Sequence, residues 1–343
     1  MSSSPIALLA TGLVTSVGLS AAASCAAIRA KLANPGETLF IDSAGEWIVG
    51  HSVPLERPWS GRTKLVKMAV RAIEQALEGI AREEWGAIPL LLCVAEPERP
   101  GRIEGLDVEV FASIQSELGV KFAADSQVIA QGRVSVVTAL SLARSLLGRF
   151  AVSRVLIAAT DSLLCGPTLG AYERADRLLT SRNSNGFLPG EGGGALLVGS
   201  DTGSRPRELL VCGAGFASEA ATVDADAPLR GEGLALAIRE ALQDAGCGLE
   251  AVDFRVADIS GEQYYAKEAA LAMLRLLRVR KEEFDIWHPA ECIGEAGAVA
   301  GLAALVVAEA ACRKAYAPGP GVLCHMANDA GERAALVLRY RVS

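Results

Sequence analysis

The first residues that could do chemistry lie at the start of a predicted buried helix. In the stretch 131–147, Gly132 stands in a turn, and apolar residues then follow at helical spacing. Free N–H groups and the positive dipole end at such a start lower the pKa of a thiol, which suits a nucleophile. Arg133 stands there instead, and a cation is neither a nucleophile nor a favourable helix-start charge.

Three further side chains are outside candidates for a nucleophile. Ser135 lies in the first turn of the same helix, Cys165 follows a predicted strand end, and Cys292 comes two residues before a glycine. Each is more often a buried hydroxyl or thiol than a nucleophile, and a nucleophile needs a base within hydrogen-bond reach.

Histidine, the commonest such base, is scarce. The chain has only His51, His288 and His325, too scattered to suggest a metal site. His288 precedes a proline, which favours a loop residue, and His325 ends a predicted buried strand, which favours a core residue. We expect no metal and no cofactor.

Composition indicates a well-buried globular protein. Of the 343 residues 51% are hydrophobic, and the net charge is −7 without any block of Lys or Arg, so we expect no binding to nucleic acid or anionic membranes. No run reaches the roughly 18 apolar residues that a membrane helix needs, and the N-terminal apolar run lacks a preceding basic region. The eight cysteines form no CxxC pair, which is typical of free thiols in a reducing cytoplasm.

The elements that must position these residues occur twice in the same order. We predict strands and helices at 5–14, 20–32, 64–82, 89–95, 106–119, 126–130, 131–147, 154–159 and 186–199, then at 207–217, 233–246, 254–260, 266–278, 294–312 and 321–327. An Ala/Gly-rich helix falls at the same place in both halves, which suits packing between two sheets. The pattern predicts an α/β protein with duplicated halves, 1–204 and 205–343, in one compact unit with α-β-α-β-α layers.

The segment 161–199 carries a family resemblance. An Asp-Ser pair after a strand, an aromatic residue, an Arg-Leu pair and a glycine-rich turn resemble the β-ketoacyl-acyl-carrier-protein synthases of the thiolase superfamily. The matching residues are Asp161, Arg177, Asn183, Gly186, Phe187, Gly190, Glu191 and Gly192. The resemblance implies a five-layered thiolase-like fold.

The same resemblance implies that the reacting residues are gone. The family places a Cys at the start of the first central helix, and that position falls on Arg133. One family His follows a glycine at the start of the second central helix, where this chain has Glu295. The other lies in a turn that here contains Gly261. Arg133 and Glu295 could form an ion pair across the former pocket, or both could point to solvent.

Two functions stay open. The first is a catalytically inactive scaffold, partner or accessory subunit, in secretion-effector loading or a polyketide-like or fatty-acid-like pathway. It would form a homodimer, or a heterodimer with a synthase-like subunit. The dimer would form through the apolar strand at 154–160, which we expect to be an edge strand of the sheet. An acyl carrier protein or a secretion effector would be a further partner. The alternative is an acyltransferase or decarboxylase that uses Gln131, Ser135 or Cys292, since a related subclass carries Gln in place of Cys.

Overall fold

Strands and helices alternate through the computed structural model, which describes residues 4–149 and 152–342. The strands are β1 (Ile6–Val14), β2 (Gly36–Ile41), β3 (Trp47–Gly50), β4 (Leu90–Val94), β5 (Gln127–Ala130), β6 (Arg154–Ser162), β7 (Glu191–Ser200), β8 (Glu208–Ser218), β9 (Phe254–Ala257), β10 (Ile286–Trp287), β11 (Gly321–Ala327) and β12 (Glu332–Arg341). The α-helices are α1 (Ala21–Arg29), α2 (Gly61–Leu77), α3 (Glu109–Leu118), α4 (Ser135–Leu147), α5 (Gly166–Arg174), α6 (Glu232–Ala245), α7 (Gln263–Leu276), α8 (Ala290–Ile293) and α9 (Ala298–Arg313).

The main sheet shows the duplication directly. Its order is β10-β9-β11-β12-β8-β1-β7-β6-β4-β5. Counted from the outer edge inward, the second half contributes β10, β9, β11, β12 and β8, and the first half contributes β5, β4, β6, β7 and β1 in the corresponding positions. In each half the three outer strands are parallel and the two inner ones antiparallel. Within the main sheet, the strands of the two halves pair at β1 and β8, through the residue pairs Ile6–Val211 and Ala7–Leu210.

The apolar side chains divide into layers around this sheet. The largest core cluster lies between the two half-sheets and includes α4 and α9, while α2 and α3 cover the first half-sheet and α6 and α7 cover the second. Helix α9 is buried at every position except Glu309 and Arg313, as a helix enclosed on all sides must be. The predicted α/β class and five-layered thiolase-like architecture are confirmed.

Two expectations differ from the structure. The strand expected at a dimer edge, β6, lies between β4 and β7, and the outer strands of the main sheet are β5 and β10 instead. The unbroken apolar run of β6 indicates that both faces of this strand are buried, which is typical of an interior strand. The stretch between the predicted elements at 20–32 and 64–82, where no strand was predicted, contains the β2–β3 hairpin. No helix in the described ranges is long and apolar enough to cross a membrane.

Candidate functional site

Acidic and amide side chains follow the parallel strands where those strands end. Glu96 comes after β4, Asp161 lies near the end of β6, Asp258 follows β9, and Asn328 and Asp329 follow β11. The carboxyl ends of parallel strands meet at one edge of a sheet, where ligands bind in open α/β proteins. The starts of α4 and α9 lie at this edge, which is therefore the candidate site.

Arg133 reaches this edge because of the turn before α4. Gly132 has φ +53°, and a Cβ there would come within 2.1 Å of Glu96 Oε2, so the position favours glycine. Asn328 fixes the turn from the second half: its Oδ1 accepts from Arg133 N at 3.0 Å and its Nδ2 donates to Gln131 O at 2.8 Å. The Arg133 side chain is thereby directed into the protein, with 7% exposed.

The guanidinium of Arg133 lies among three carboxylates and a phenol. Its Nη1 donates to Glu295 Oε2 at 3.2 Å, and its Nη2 donates to Asp329 Oδ1 at 2.6 Å and to Tyr265 Oη at 2.9 Å. Asp258 Oδ2 lies 3.9 Å from Nε, and the guanidinium carbon is 4.6 Å from the centroid of the Tyr265 ring. The hypothesised Arg133–Glu295 contact is present, within a larger network.

A second arginine closes the network on the side of Asp329. Arg177 forms a bidentate pair with Glu262, with both N···O distances 2.8 Å, and donates to Asp329 Oδ2 at 2.6 Å. Asp329 thus bridges Arg133 and Arg177 and also accepts from the Tyr265 hydroxyl. Such bidentate, charge-assisted bonds fix side-chain orientation.

The start of α9 is capped by carboxylates from both halves. Asp161 Oδ2 accepts from Ala298 N at 2.8 Å, and Glu295 Oε1 accepts from Gly297 N at 3.0 Å. Arg99 pairs with Glu96 at 2.7 Å and lies 3.4 Å from Asp161. Acceptors at a helix N-terminus satisfy its free N–H groups and favour its dipole.

The glycine-rich turn holds Glu295 in place. Gly190 N donates to Glu295 O, and Glu295 N donates to Leu188 O, both at 2.8 Å. A Cβ on Gly190 would lie 2.3 Å from Ile293 O, so only glycine permits this approach.

The other residues of this turn hold it together from within. The buried Glu191 accepts from Val53 N at 2.8 Å and from Ser162 Oγ at 2.8 Å, and it pairs with Lys64. Phe187 packs edge-on against a tyrosine, and Asn183 closes the loop by donating to Leu178 O at 3.0 Å. Gly186 and Gly192 also lie against backbone atoms.

The network perturbs the pKa values of its carboxylates in opposite directions. Burial raises the pKa of Asp258 to about 7, against the opposing effect of the Arg133 guanidinium. Burial also disfavours ionisation of Asp329, but Arg133 and Arg177 outweigh it and hold the pKa of that carboxyl below its usual range. Burial acts to lower the pKa of Arg133, yet Tyr265, Glu295 and Asp329 raise it well above its ordinary value.

Little space is left among these groups. The cavity bounded by Arg133, Arg177, Glu295 and Asp329 has a volume of about 10 Å³, enough for roughly one water molecule. Among the residues that the structure describes, no group of three or more His, Cys, Asp or Glu is arranged to hold a metal ion.

The residues named for the alternative enzyme, Gln131, Ser135 and Cys292, take no part in the Arg133 side-chain network. The Gln131 side chain is exposed and accepts from Thr138 Oγ1 at 2.5 Å, whereas the buried Ser135 hydroxyl donates to Ile129 O at 3.3 Å. Cys292 is buried, which raises the pKa of its thiol, and it lines a different cavity. Gly261 has φ +129° and contributes no side chain.

The histidines and Cys165 are not brought together either. Burial lowers the pKa of His325 to about 3, and His51 Nδ1 lies 3.4 Å from Ser16 Oγ. His288 contacts Glu291, and Cys165 donates to Thr168 Oγ1 at 2.9 Å.

Sequence reasoning missed several members of the site. Tyr265, Glu262, Asp329 and Arg99 were not among the candidates, although they complete the network around Arg133. A usable signal was present for Asp329, since it follows a buried parallel strand as Asp258 does. Tyr265 lies on α7, and nothing in its local sequence marks it.

Comparison with solved structures identifies the fold. The chain superposes on the ishigamide ketosynthase/chain length factor with TM-score 0.78 and 19% identity, covering 98% of this chain and 99% of that one. It also superposes on one chain of the complex described as a type II PKS acyl-carrier protein with its ketosynthase bound to the hexaketide, with TM-score 0.80 and 16% identity, covering 98% of this chain and 99% of that one. It superposes on the ketosynthase in complex with its chain length factor from Xenorhabdus doucetiae with TM-score 0.78 and 13% identity, covering 98% of each chain. The fold is that of thiolase-like ketosynthases. No family model matches the chain, and none of the curated proteins does.

Proposed function

We propose that this ketosynthase-like fold serves as a non-catalytic subunit, a scaffold or partner for a synthase that acts on acyl-thioesters. The observation that carries the proposal is the Arg133 guanidinium, which occupies the start of the first central helix and pairs there with Glu295 and Asp329. A guanidinium stays protonated and has no lone pair with which to accept an acyl group.

The surroundings of Arg133 support the same conclusion. Covalent acyl transfer requires a nucleophile beside a base, and the carboxylates here are engaged with arginines or with the N–H groups of α9. The cavity that Arg133 lines, of about 10 Å³, admits no acyl chain, and the cavity of about 370 Å³ that borders Arg177 and Asp329 is not lined by Arg133. We infer that Arg133 and Glu295, and the turn that contains Gly261, mark a site that no longer reacts.

The proposed partner is a synthase-like subunit that carries the reactive cysteine. Two of the similar structures are described as containing a ketosynthase and a chain length factor, and another as an acyl-carrier protein in complex with its ketosynthase. We therefore favour a heterodimer with a synthase-like chain and an acyl carrier protein as a second partner. A homodimer and a complex with a secretion effector are the other outcomes of the test. All eight cysteines are free thiols, which supports a reducing cytoplasm as the location.

The test of catalytic inactivity is incubation with acetyl- and malonyl-thioesters followed by intact-protein mass spectrometry. We expect no stoichiometric acyl adduct on the wild-type protein. A stoichiometric adduct that disappears in Cys292→Ser or Ser135→Ala, but persists in Cys165→Ser, would establish the alternative acyltransferase and overturn the proposal.

Partner binding is tested separately by co-expression with the products of the neighbouring genes, followed by native mass spectrometry. A one-to-one complex with a synthase-like chain is expected. A protein that forms only a homodimer in the presence of these chains would contradict the partner role, even if it formed no acyl adduct.

A further inference from the structure

A second cavity lies away from the charged network. It has a volume of about 240 Å³ and opens between α1, the segment from β10 to α8, and α9. The residues that line it belong neither to the Arg133 network nor to the glycine-rich turn. Its volume is below the roughly 300–1,000 Å³ of most small-molecule sites, which suits a ligand of one or two rings.

The walls of this cavity are flat and apolar. The Trp287 and Tyr316 rings are stacked, with centroids 6.2 Å apart and planes 21° from parallel, and Phe254 supports Trp287 from behind at 4.6 Å between centroids. Ile28 and Val307 complete the apolar lining. Aromatic rings bind preferentially beside such surfaces, in offset or edge contacts.

The rim of the cavity carries two positive charges, neither of which forms an ion pair with a described residue. Arg29 and Lys31 both line it, and within the described ranges neither has a carboxylate within 4.0 Å. The Arg29 guanidinium lies 4.1 Å from the centroid of the Tyr316 ring, so its N–H groups are held beside the opening. A stacked guanidinium keeps its edge free for a carboxylate.

One carboxylate also lines the cavity. Glu291 Oε1 lies 3.5 Å from His288 Nδ1, and it lies within 4.0 Å of neither Arg29 nor Lys31. The two cations at the rim are therefore not paired with it.

We propose that this cavity binds a small planar aromatic carboxylate. The ring system lies along Trp287, Tyr316 and Val307, and the carboxylate pairs with Arg29 and Lys31 at the rim. The inference is independent of the proposed partner role, because no residue of the charged network takes part.

The test is isothermal titration calorimetry of the full chain with 2-naphthoate, with 2-naphthamide as the uncharged probe of equal shape. We expect 2-naphthoate to bind at least 10-fold more tightly than the amide, with an affinity that falls as salt rises. The double variant Arg29→Gln/Lys31→Gln should remove that preference, whereas Arg149→Gln, at an exposed arginine elsewhere, should retain it.

A filling variant tests the cavity itself. Ile28→Trp places a large ring in the cavity from its partly exposed wall and should abolish binding of both probes with the fold unchanged by circular dichroism. The proposal is overturned if 2-naphthoate fails to bind at millimolar concentration, binds no better than the amide, or binds equally well to Ile28→Trp.

Discussion

At the scale of single residues, Arg133 is held by opposite charge on several sides, yet its net contribution to stability is not simply favourable. Removing two charges from water costs several kcal/mol per ion, and the attraction within a buried pair repays that cost only with good geometry and further hydrogen bonds. The bonds from Arg133 to Glu295, Asp329 and Tyr265 supply both. We interpret the network as fixing the two central helix starts relative to each other.

The first prediction follows from leaving those carboxylates without their cation. Arg133→Met should lower the free energy of unfolding by about 3–5 kcal/mol, because Glu295 and Asp329 become buried charges with weaker compensation. Arg149→Met breaks an exposed ion pair with Asp125 and should change the free energy of unfolding by less than about 0.5 kcal/mol. Urea unfolding of both variants measures the difference.

A double-mutant cycle separates the network from simple packing. In Arg133→Met/Glu295→Gln the second change removes a stranded charge, so the combined loss should be smaller than the sum of the single losses by about 0.5–3 kcal/mol. Strict additivity, or equal losses in Arg133→Met and Arg149→Met, would refute the role given to the network.

Asp258 gives the second prediction, a dependence of stability on pH. Its pKa is about 7 in the folded protein and 3.8 for an ordinary aspartate, so between these pH values the folded state binds more protons than the unfolded state. The raised pKa of Asp258 therefore contributes to the free energy of unfolding fully below about pH 4, and this contribution is lost as the pH rises to about 7. Relative to wild type, Asp258→Asn should therefore gain stability between pH 5 and pH 8, on the order of 2 kcal/mol.

Asp329 provides the matched control for that experiment. Its pKa is held below the usual aspartate range, so its titration affects stability only at lower pH. The stability difference between Asp329→Asn and wild type should be flat from pH 5 to pH 8, however large it is. Urea unfolding at both pH values decides, and a flat difference for Asp258→Asn as well would show that Asp258 is already ionised at pH 5.

At the scale of elements, the third prediction concerns the turn before β7. Gly190→Ala should lower the free energy of unfolding by about 2 kcal/mol or more, because its Cβ would lie 2.3 Å from Ile293 O, a backbone atom that cannot move aside. The turn is also tied to Glu295 by two backbone hydrogen bonds, so the strain passes to the start of α9.

Gly36→Ala is the control, since a Cβ there meets nothing within 4 Å. Its unfolding free energy should stay within about 0.5 kcal/mol of wild type. Thermal unfolding compares the two variants, and similar melting temperatures would mean that the turn does not constrain Glu295.

The elements also show how far the sequence could lead. Continuous apolar runs predicted β4 and β6, and the Ala-rich run predicted α9, because these elements are buried on both faces and need no partner to be recognised. The β2–β3 hairpin was missed because its exposed face carries Leu39 and Trp47, which blurs the alternation of an ordinary surface hairpin. Arg133 and Glu295 could be matched because each lies just before a recognisable helix, whereas Tyr265 joins them only through tertiary packing.

At the scale of the whole molecule, the two halves share one core. Helix α9 belongs to the second half, yet it packs on β6 and β7 of the first as well as on β9 and β11 of its own. The main apolar cluster likewise draws residues from β1 and α4 on one side and from β11 and β12 on the other. Neither half can bury its inner sheet face without the other.

The fourth prediction is therefore that the halves 1–204 and 205–343 fold only together. The full chain should unfold in a single calorimetric transition. Fragment 1–204, produced alone, should lack cooperative unfolding and bind a hydrophobic dye, because the face of β6 and β7 that α9 covers is exposed to water. Co-expression with 205–343 should restore the single transition, since the described contacts between the halves are non-covalent. A cooperative transition in the isolated fragment 1–204 would show instead that each half-sheet and its outer helices form an independent domain, and the Arg133–Glu295 network would then be an interface between domains.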